Sequence, residues 1–277
     1  MTFIVINRYH SYFSNHKRRT YPIVGVNIFN GLELGIPLNI ISNVYTNIHY
    51  GYDITSVKTI LLQFLLGYYT YGKDRYNDAI DFVDNPYNTS KEEFYKLIYN
   101  NKNIYYNTII LSFIGITYIL LDQSTTNDIL YNIPFLPLCY INGEYKYFKK
   151  HLYIYKSLYI SIMWTFATVI IPCVLYEHNY NILYYPNDYL PCLLTLLATS
   201  NFADTKDIDE DKINNINTLP VLYGKNISNL ISFIAIICST ILFIENPNFD
   251  NRLIINSGIE LQNFGIMALL YNNTFLT

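Results

Sequence analysis

The stretch Pro191-Cys-Leu-Leu-Thr-Leu-Leu-Ala-Thr-Ser-Asn-Phe-Ala-Asp204-Thr-Lys-Asp207-Ile-Asp209-Glu-Asp211-Lys212 runs from a mostly apolar segment directly into a cluster of acids. On a continuous helix, Asp204, Asp207 and Asp211 fall at i, i+3 and i+7 and share one face, while Asp209 points away. Three adjacent carboxylates repel one another unless a cation binds them. Mg²⁺ takes oxygen ligands, keeps some waters and accepts phosphate oxygens, so the pattern predicts a metal-bound phosphate or diphosphate. The alternative is a charged, solvated helix end.

A second acidic segment follows the apolar run 60–71. It reads Gly72-Lys73-Asp74-Arg75-Tyr76-Asn77-Asp78-Ala-Ile-Asp81, and its oxygen-bearing side chains again repeat at i, i+3 or i+4, and i+7. Pro86 and the polar residues after it are expected to end this helix. Two such faces could hold one metal-bridged anion between them.

The composition is that of a membrane protein. The 277 residues are 51% hydrophobic and only 14% charged, against roughly 25% charged in an ordinary soluble domain. The apolar residues are grouped in blocks close to the length of a membrane-crossing helix. We therefore expect one all-α domain, 1–277, forming a polytopic bundle of about eight to nine spans around a central cavity. The eight predicted spans are 21–45, 54–72, 104–122, 128–142, 153–175, 187–203, 227–245 and 253–271.

Lysine and arginine predict the orientation of this bundle. With eight spans and the N-terminus on the cytosolic-equivalent side, 16 of the 18 basic residues fall on that side, and only Lys58 and Arg252 fall on the other. The connecting loops 73–103 and 204–226, which carry the acidic segments, then share one face of the membrane.

Several classes of function find no support in the sequence. The net charge of −3 comes with no basic patch, so we expect no nucleic-acid partner. The four cysteines are widely spaced in apolar segments, as buried hydrophobic residues would be. Glu33, with Asn27 and Asn30, is a polar group within the first predicted span, where either a site or a helix-packing hydrogen bond would explain it.

The two acidic segments resemble those of the UbiA superfamily of membrane prenyltransferases. Asp204-x-x-Asp207-x-x-x-Asp211-Lys212, followed by Asn217-Thr-Leu-Pro-Val221 and Gly224-Lys225, is similar to the second family motif. Lys73-Asp74-x-x-Asn77-x-x-x-Asp81 resembles the first, with Lys73 in place of the usual Asn and Asn77 in place of an Asp. Lys156-Ser157 leading to Trp164 is similar to the fifth span of the family. The resemblance covers roughly residues 55–226, and the chain shows eight spans where nine are usual.

The resemblance implies Mg²⁺-dependent transfer of a polyisoprenyl group from its diphosphate to a lipophilic, often aromatic, acceptor inside a helical bundle in the membrane lipid. It implies catalytic roles for Asp207 and Asp211, a set of metal ligands and a set of contacts to the diphosphate. The expected metal ligands are Asp74, Asn77, Asp78, Asp81, Asp204, Asp207 and Asp211. The expected diphosphate contacts are Arg75, Lys150, Lys156 and Lys212.

Three other functions remain open from sequence alone. A polytopic transporter or channel would also carry polar residues in its spans, although its site is expected near the midplane rather than at one surface. A lipid-headgroup transferase would also use Mg²⁺, usually with a single acidic helix motif. A non-catalytic homologue would explain Lys73 and Asn77.

Overall fold

A computed structural model describes residues 35–245 of this protein, except for short gaps at 47–49, 51–53, 55, 85, 87–90, 123–125 and 214. All secondary structure in these residues is helical, which confirms the predicted all-α class. The eighth predicted span, 253–271, and most of the first, including Glu33, Asn27 and Asn30, lie outside the described residues.

We number the helices in chain order. They are α1 (35–46), α2 (Val57–Asp84), α3 (Glu92–Asn100), α4 (Lys102–Leu121), α5 (Thr126–Asn132), α6 (Phe135–Gly143), α7 (Tyr145–Leu152), α8 (Lys156–Thr165), α9 (Ile171–Glu177), α10 (Pro186–Asp204), α11 (Ile208–Ile213), α12 (Leu219–Tyr223) and α13 (Lys225–Ile244). Short 3₁₀ turns lie at Tyr153–Tyr155 and Asn181–Tyr184, and a π-helical turn, Phe166–Ile170, joins α8 to α9.

Three helical segments within the described residues are long and apolar enough to cross a membrane. They are Lys102–Leu121, the 33-residue run Tyr145–Glu177 and Lys225–Ile244. The outer face of α13 exposes Ile227, Leu230, Ile234 and Ile241, as expected for a helix surrounded by lipid. These findings support association with a membrane.

One predicted span is divided in the structure, and the predicted helix through the first acidic segment is confirmed. The expected span 128–142 is two short helices, α5 and α6, separated at Ile133–Pro134, because the proline at 134 has no amide hydrogen to continue the helix. Within the predicted connection 73–103, α2 continues through the first acidic segment and ends at Asp84, shortly before Pro86, as the sequence predicted, and the helix α3 follows.

Hydrogen bonds between small polar side chains join α10, the helix that ends at Asp204, to α13 and α1. Asn201 of α10 donates through Nδ2 to the Ser228 carbonyl and to Ser232 Oγ of α13, both at 2.8 Å. Further along α10 and α13, Thr195 Oγ1 and Ser239 Oγ lie 2.8 Å apart. The hydroxyl of Tyr45 on α1 donates to Thr195 Oγ1 at 3.1 Å. Such contacts between small and polar residues let helices pack closely where no water competes. They hold α10 at a defined position next to α13 and α1.

Candidate active site

The first acidic segment lies on the last turns of α2, and its carboxylates meet lysines of α7. Lys146 Nζ lies 2.7 Å from Asp78 Oδ1 and 2.8 Å from Asp81 Oδ2. Lys149 Nζ lies 3.6 Å from Asp74 Oδ1. These two lysines are three residues apart on one helix and therefore share a face, which explains how both reach α2.

Neither Lys146 nor Lys149 was among the expected diphosphate contacts. The available signal was the amphipathic octapeptide Tyr-Lys-Tyr-Phe-Lys-Lys-His-Leu of α7, whose basic residues at i and i+3 follow a predicted span directly. Of the basic residues that were expected at the site, Lys150 and Lys212 are exposed. Arg75 lies over the rings of Tyr71 and Phe94, at 5.1 and 5.6 Å from their centroids.

Lys73, which departs from the family pattern, contacts groups outside the acidic face. Its ammonium forms an ion pair with Glu144 at the junction of α6 and α7. The same nitrogen lies 5.7 Å from the centroid of the Tyr69 ring and 5.5 Å from that of Tyr140. Lys73 therefore links α2 to the start of α7, the helix that carries the two lysines facing the acids.

The second acidic segment is not one helix, which corrects the prediction of a single shared face. Helix α10 ends at Asp204, and the backbone then turns through hydrogen bonds of the i to i−3 type, from Lys206 N to Ala203 O and from Asp207 N to Asp204 O. Asp207 precedes the short helix α11, and its carbonyl accepts from Asp211 N at 2.7 Å. Aspartate is favoured at this capping position. The side chain of Asp207 is exposed, whereas Asp204 and Asp211 are buried.

Asp204 and Asp211 converge on Lys156, the first residue of α8. Lys156 Nζ lies 2.8 Å from Asp204 Oδ1 and 3.3 Å from Asp211 Oδ2, and all three side chains are at most 11% exposed. Ser157 Oγ donates to Asp204 Oδ2 at 2.8 Å, and Thr218 Oγ1 donates to Asp211 Oδ2 at 3.2 Å. Lys156, an expected diphosphate contact, is thus the direct partner of the two carboxylates.

Burial perturbs the acids of both segments in the same direction. Burial raises the pKa of Asp211; the Lys156 ammonium opposes this rise and the Asp204 carboxylate adds to it. Burial also raises the pKa of Asp74, with a further contribution from Asp78, while Lys149 and Lys146 oppose it. Each segment therefore crowds carboxylates where the charged form is costly, and additional positive charge would stabilise them.

Tyr145, the first residue of α7, lies between the two acidic segments. Its hydroxyl is near enough to Asp74 on α2, and to Asp204 and Asp211 after α10, for each of these charges to act on it. Its ring stacks on Tyr159 of α8 with 5.8 Å between centroids, which fixes its orientation. The hydroxyl is buried and has no hydrogen-bond partner among the residues described. The charges of acids that are about 130 positions apart in the chain therefore act on one buried phenol.

Both segments offer carboxylate oxygens to a hard cation, and in each of them lysines already neutralise part of the negative charge. Asp74 Oδ1 is buried without a hydrogen-bond partner in the described part of the chain, with Lys149 Nζ 3.6 Å away, and Asp78 and Asp81 lie one turn further along the same helix. In the second segment, Lys156 already lies between the two carboxylates. Among the described residues, no three His, Cys, Asp or Glu side chains form a ready ligand set. A Mg²⁺ ion at α2 would take a few protein oxygens and complete its shell with water or phosphate, as this ion commonly does.

No family model or characterised protein matches the sequence, and no solved structure matches the fold. The resemblance to the UbiA superfamily therefore rests on the two acidic segments and the residues between them.

Proposed function

We propose that this protein is an integral membrane prenyltransferase that moves a polyisoprenyl group from its diphosphate to a lipophilic or aromatic acceptor. The observation that carries the proposal is the alternation of carboxylates and ammonium groups: Lys146 and Lys149 of α7 pair with the acids of α2, and Lys156 of α8 pairs with Asp204 and Asp211. A diphosphate leaving group needs this alternation: carboxylates to hold a divalent cation and ammonium groups to neutralise the phosphate oxygens.

In this proposal side-chain oxygens of α2, from Asp74, Asn77, Asp78 and Asp81, hold Mg²⁺ with the donor diphosphate. Bound Mg²⁺ would act as a Lewis acid that stabilises the charge developing on the departing diphosphate. Lys146 and Lys149 exchange their carboxylate partners for phosphate oxygens as point charges on flexible stems. Asp204 and Asp211, oriented by Lys156, Ser157 and Thr218, form the opposite wall, where a raised Asp211 pKa suits a group that accepts a proton from the acceptor.

The proposal also includes the arrangement in the membrane. Eight spans would surround the site, with the N-terminus and both acidic segments on the cytosolic-equivalent side. The aromatic residues Tyr145, Phe148 and Tyr159, which contact one another at ring distances of 5.2–5.9 Å, would exclude water beside the allylic carbon. Aromatic faces also stabilise the positive charge that appears there as the carbon–oxygen bond stretches.

The test is Mg²⁺-dependent release of diphosphate from farnesyl diphosphate by the purified protein, with extracted membrane lipid supplying the acceptor. Asp74→Asn and Asp211→Asn should each lower the rate about 100-fold, the loss expected when an electrostatic stabiliser of the transition state is removed. Asp84→Asn and Asp209→Asn are matched controls, because Asp84 lies on α2 just after the first acidic segment, Asp209 lies in the second, and both are exposed. Both controls should retain most of the activity.

Two outcomes would reject the assignment. One is diphosphate release that persists in excess EDTA. The other is full activity of Asp74→Asn in protein that unfolds at the same temperature as the wild type. Equal losses of activity in Asp209→Asn and Asp211→Asn would contradict the claim that the buried Asp211, and not the exposed Asp209, takes part in the reaction.

A further inference from the structure

Lys156 lies between the two buried carboxylates of the second acidic segment. Its Nζ is 2.8 Å from Asp204 Oδ1 and 3.3 Å from Asp211 Oδ2. The hydroxyl of Ser157 donates to Asp204 Oδ2, and that of Thr218 donates to Asp211 Oδ2. Three of the four carboxylate oxygens therefore already have a donor, and the two acids already have a cation.

A Mg²⁺ ion requires surroundings of another kind. It binds oxygen at about 2.0–2.1 Å in octahedral geometry and keeps several of its waters. Asp204 and Asp211 are only 4% and 5% exposed, which leaves little room for those waters. The Lys156 ammonium contacts both carboxylates, and a second cation so close to it would be repelled strongly in a medium of low polarity. Asp207, the third acid of this face in the sequence pattern, is exposed. The second segment therefore does not fit the metal that the resemblance to the UbiA superfamily implies for it.

The first acidic segment leaves its carboxylates more open. The side chain of Asp81 is 67% exposed and that of Asp78 is 26% exposed. Asp74 Oδ1 has no hydrogen-bond partner within the described ranges. The lysines that face these acids, Lys146 and Lys149, belong to the short amphipathic helix α7. A cation that keeps part of its water shell can therefore reach oxygens of this segment.

We propose that Lys156 takes the place of a second Mg²⁺ and that the protein binds a single Mg²⁺, at the first acidic segment. The inference rests on the proposed function and departs from the ligand set that the resemblance implies. One ammonium and two hydroxyl donors stabilise Asp204 and Asp211 in place of a divalent ion. Because the lysine is part of the chain, the positive charge on this wall of the site is present at any metal concentration. Only the donor side of the site then depends on Mg²⁺.

The test counts the Mn²⁺ ions bound per chain, by electron paramagnetic resonance of the free ion. Mn²⁺ serves as the probe because it takes the same carboxylate and water ligands as Mg²⁺. The full-length protein is purified in detergent and measured with inorganic diphosphate present. The wild type and Asp211→Asn should each bind about one Mn²⁺, whereas Asp74→Asn should bind it at least about 10-fold more weakly.

Removing the ammonium should create the metal site that it replaces. Lys156→Ala leaves two carboxylates and vacated space, so it should bind about two Mn²⁺ ions, and added Mn²⁺ should raise its unfolding temperature more than that of the wild type. Lys96→Ala is the matched control, because it removes a lysine from an exposed ion pair with Glu92, and it should still bind about one. If Lys156→Ala does not fold, the comparison of the wild type with Asp74→Asn and Asp211→Asn decides.

The outcomes separate this inference from the function on which it rests. Two Mn²⁺ ions in the wild type, one of them lost in Asp211→Asn, overturn the inference, and so does a single Mn²⁺ that Asp211→Asn removes. A folded Lys156→Ala that gains no second Mn²⁺ overturns the replacement of a metal by the lysine. Wild-type protein that binds no Mn²⁺ in the presence of diphosphate instead rejects the metal-dependent transferase itself.

Discussion

Lys156 is the only cation that the structure pairs with Asp204 or Asp211 among the described ion pairs, and its side chain is 11% exposed. Two buried carboxylates share one ammonium, and the hydroxyls of Ser157 and Thr218 complete their hydrogen bonding. Removing one partner of a buried ion pair usually costs more than the pair itself contributes, because an unpaired charge is left in a medium of low polarity. The stability of this part of the fold should therefore depend strongly on a single lysine.

Lys156→Met should lower the free energy of unfolding by about 3–5 kcal/mol, since methionine fills a similar volume but leaves Asp204 and Asp211 uncompensated. The measurement is denaturant-induced unfolding in detergent micelles. Lys96→Met is the matched control, because Lys96 forms an exposed ion pair with Glu92 one turn away, and its loss should cost less than about 1 kcal/mol. A similar loss in the free energy of unfolding for the two variants would show that the buried group of Lys156, Asp204 and Asp211 does not stabilise the fold.

Helices α2 and α6 approach each other more closely than ordinary side chains permit, and a glycine makes this contact possible. A Cβ at Gly143, the last residue of α6, would collide with the ring of Tyr69 on α2. The next residue, Glu144, forms the ion pair with Lys73, so this contact also sets the position of α7 over the acidic face. Packing between elements thus determines which lysines reach Asp74, Asp78 and Asp81.

Gly143→Ala should destabilise the fold by about 1–3 kcal/mol, the usual cost of forcing extra volume into a packed contact. Gly72→Ala is the control: a Cβ there would meet Ile109 and Tyr68 at 3.5 and 3.6 Å, which is ordinary contact. Because glycine is unfavourable inside a helix, that change should be neutral or stabilising by up to about 1 kcal/mol. Thermal unfolding of both variants is the measurement. If Tyr69→Leu fails to restore part of the stability lost in Gly143→Ala, the collision is not the cause.

For the whole molecule, the distribution of basic residues predicts which surfaces share one side of the membrane. Single cysteines introduced at Lys96, Lys150 and Lys212, all exposed, should react with a membrane-impermeant maleimide from one side. A cysteine at Lys58, also exposed, should react from the other. The background should carry Cys238→Ala, because Cys238 is exposed while Cys139, Cys173 and Cys192 are buried. If positions 96 and 212 react from opposite sides of the membrane, the two acidic segments also lie on opposite sides and cannot form one site.

Much of the fold was predictable because it depends on local patterns. The all-helical class follows from apolar blocks of membrane-spanning length, and the helix bearing Asp74, Asp78 and Asp81 follows from their i, i+4 and i+7 spacing. The break at residues 205–207 was not predicted, because the acid spacing suits a helix equally well. It is instead the buried partners of Asp204 and Asp211, on α8 and beside α12, that hold the chain in two separate helices.

The sequence by itself determined the elements: the helices, the acidic content of two of them, and the basic residues that predict their side of the membrane. These properties depend on residue type and on spacing along one segment. Only the tertiary structure decided the partners, namely Lys146 and Lys149 for the acids of α2, Lys156 for Asp204 and Asp211, and Tyr145 between them. Lys156 and Asp211 are separated by 55 positions. Charges so far apart in sequence meet only because close helix packing, at contacts such as Gly143 with Tyr69, fixes how the helices are placed against one another.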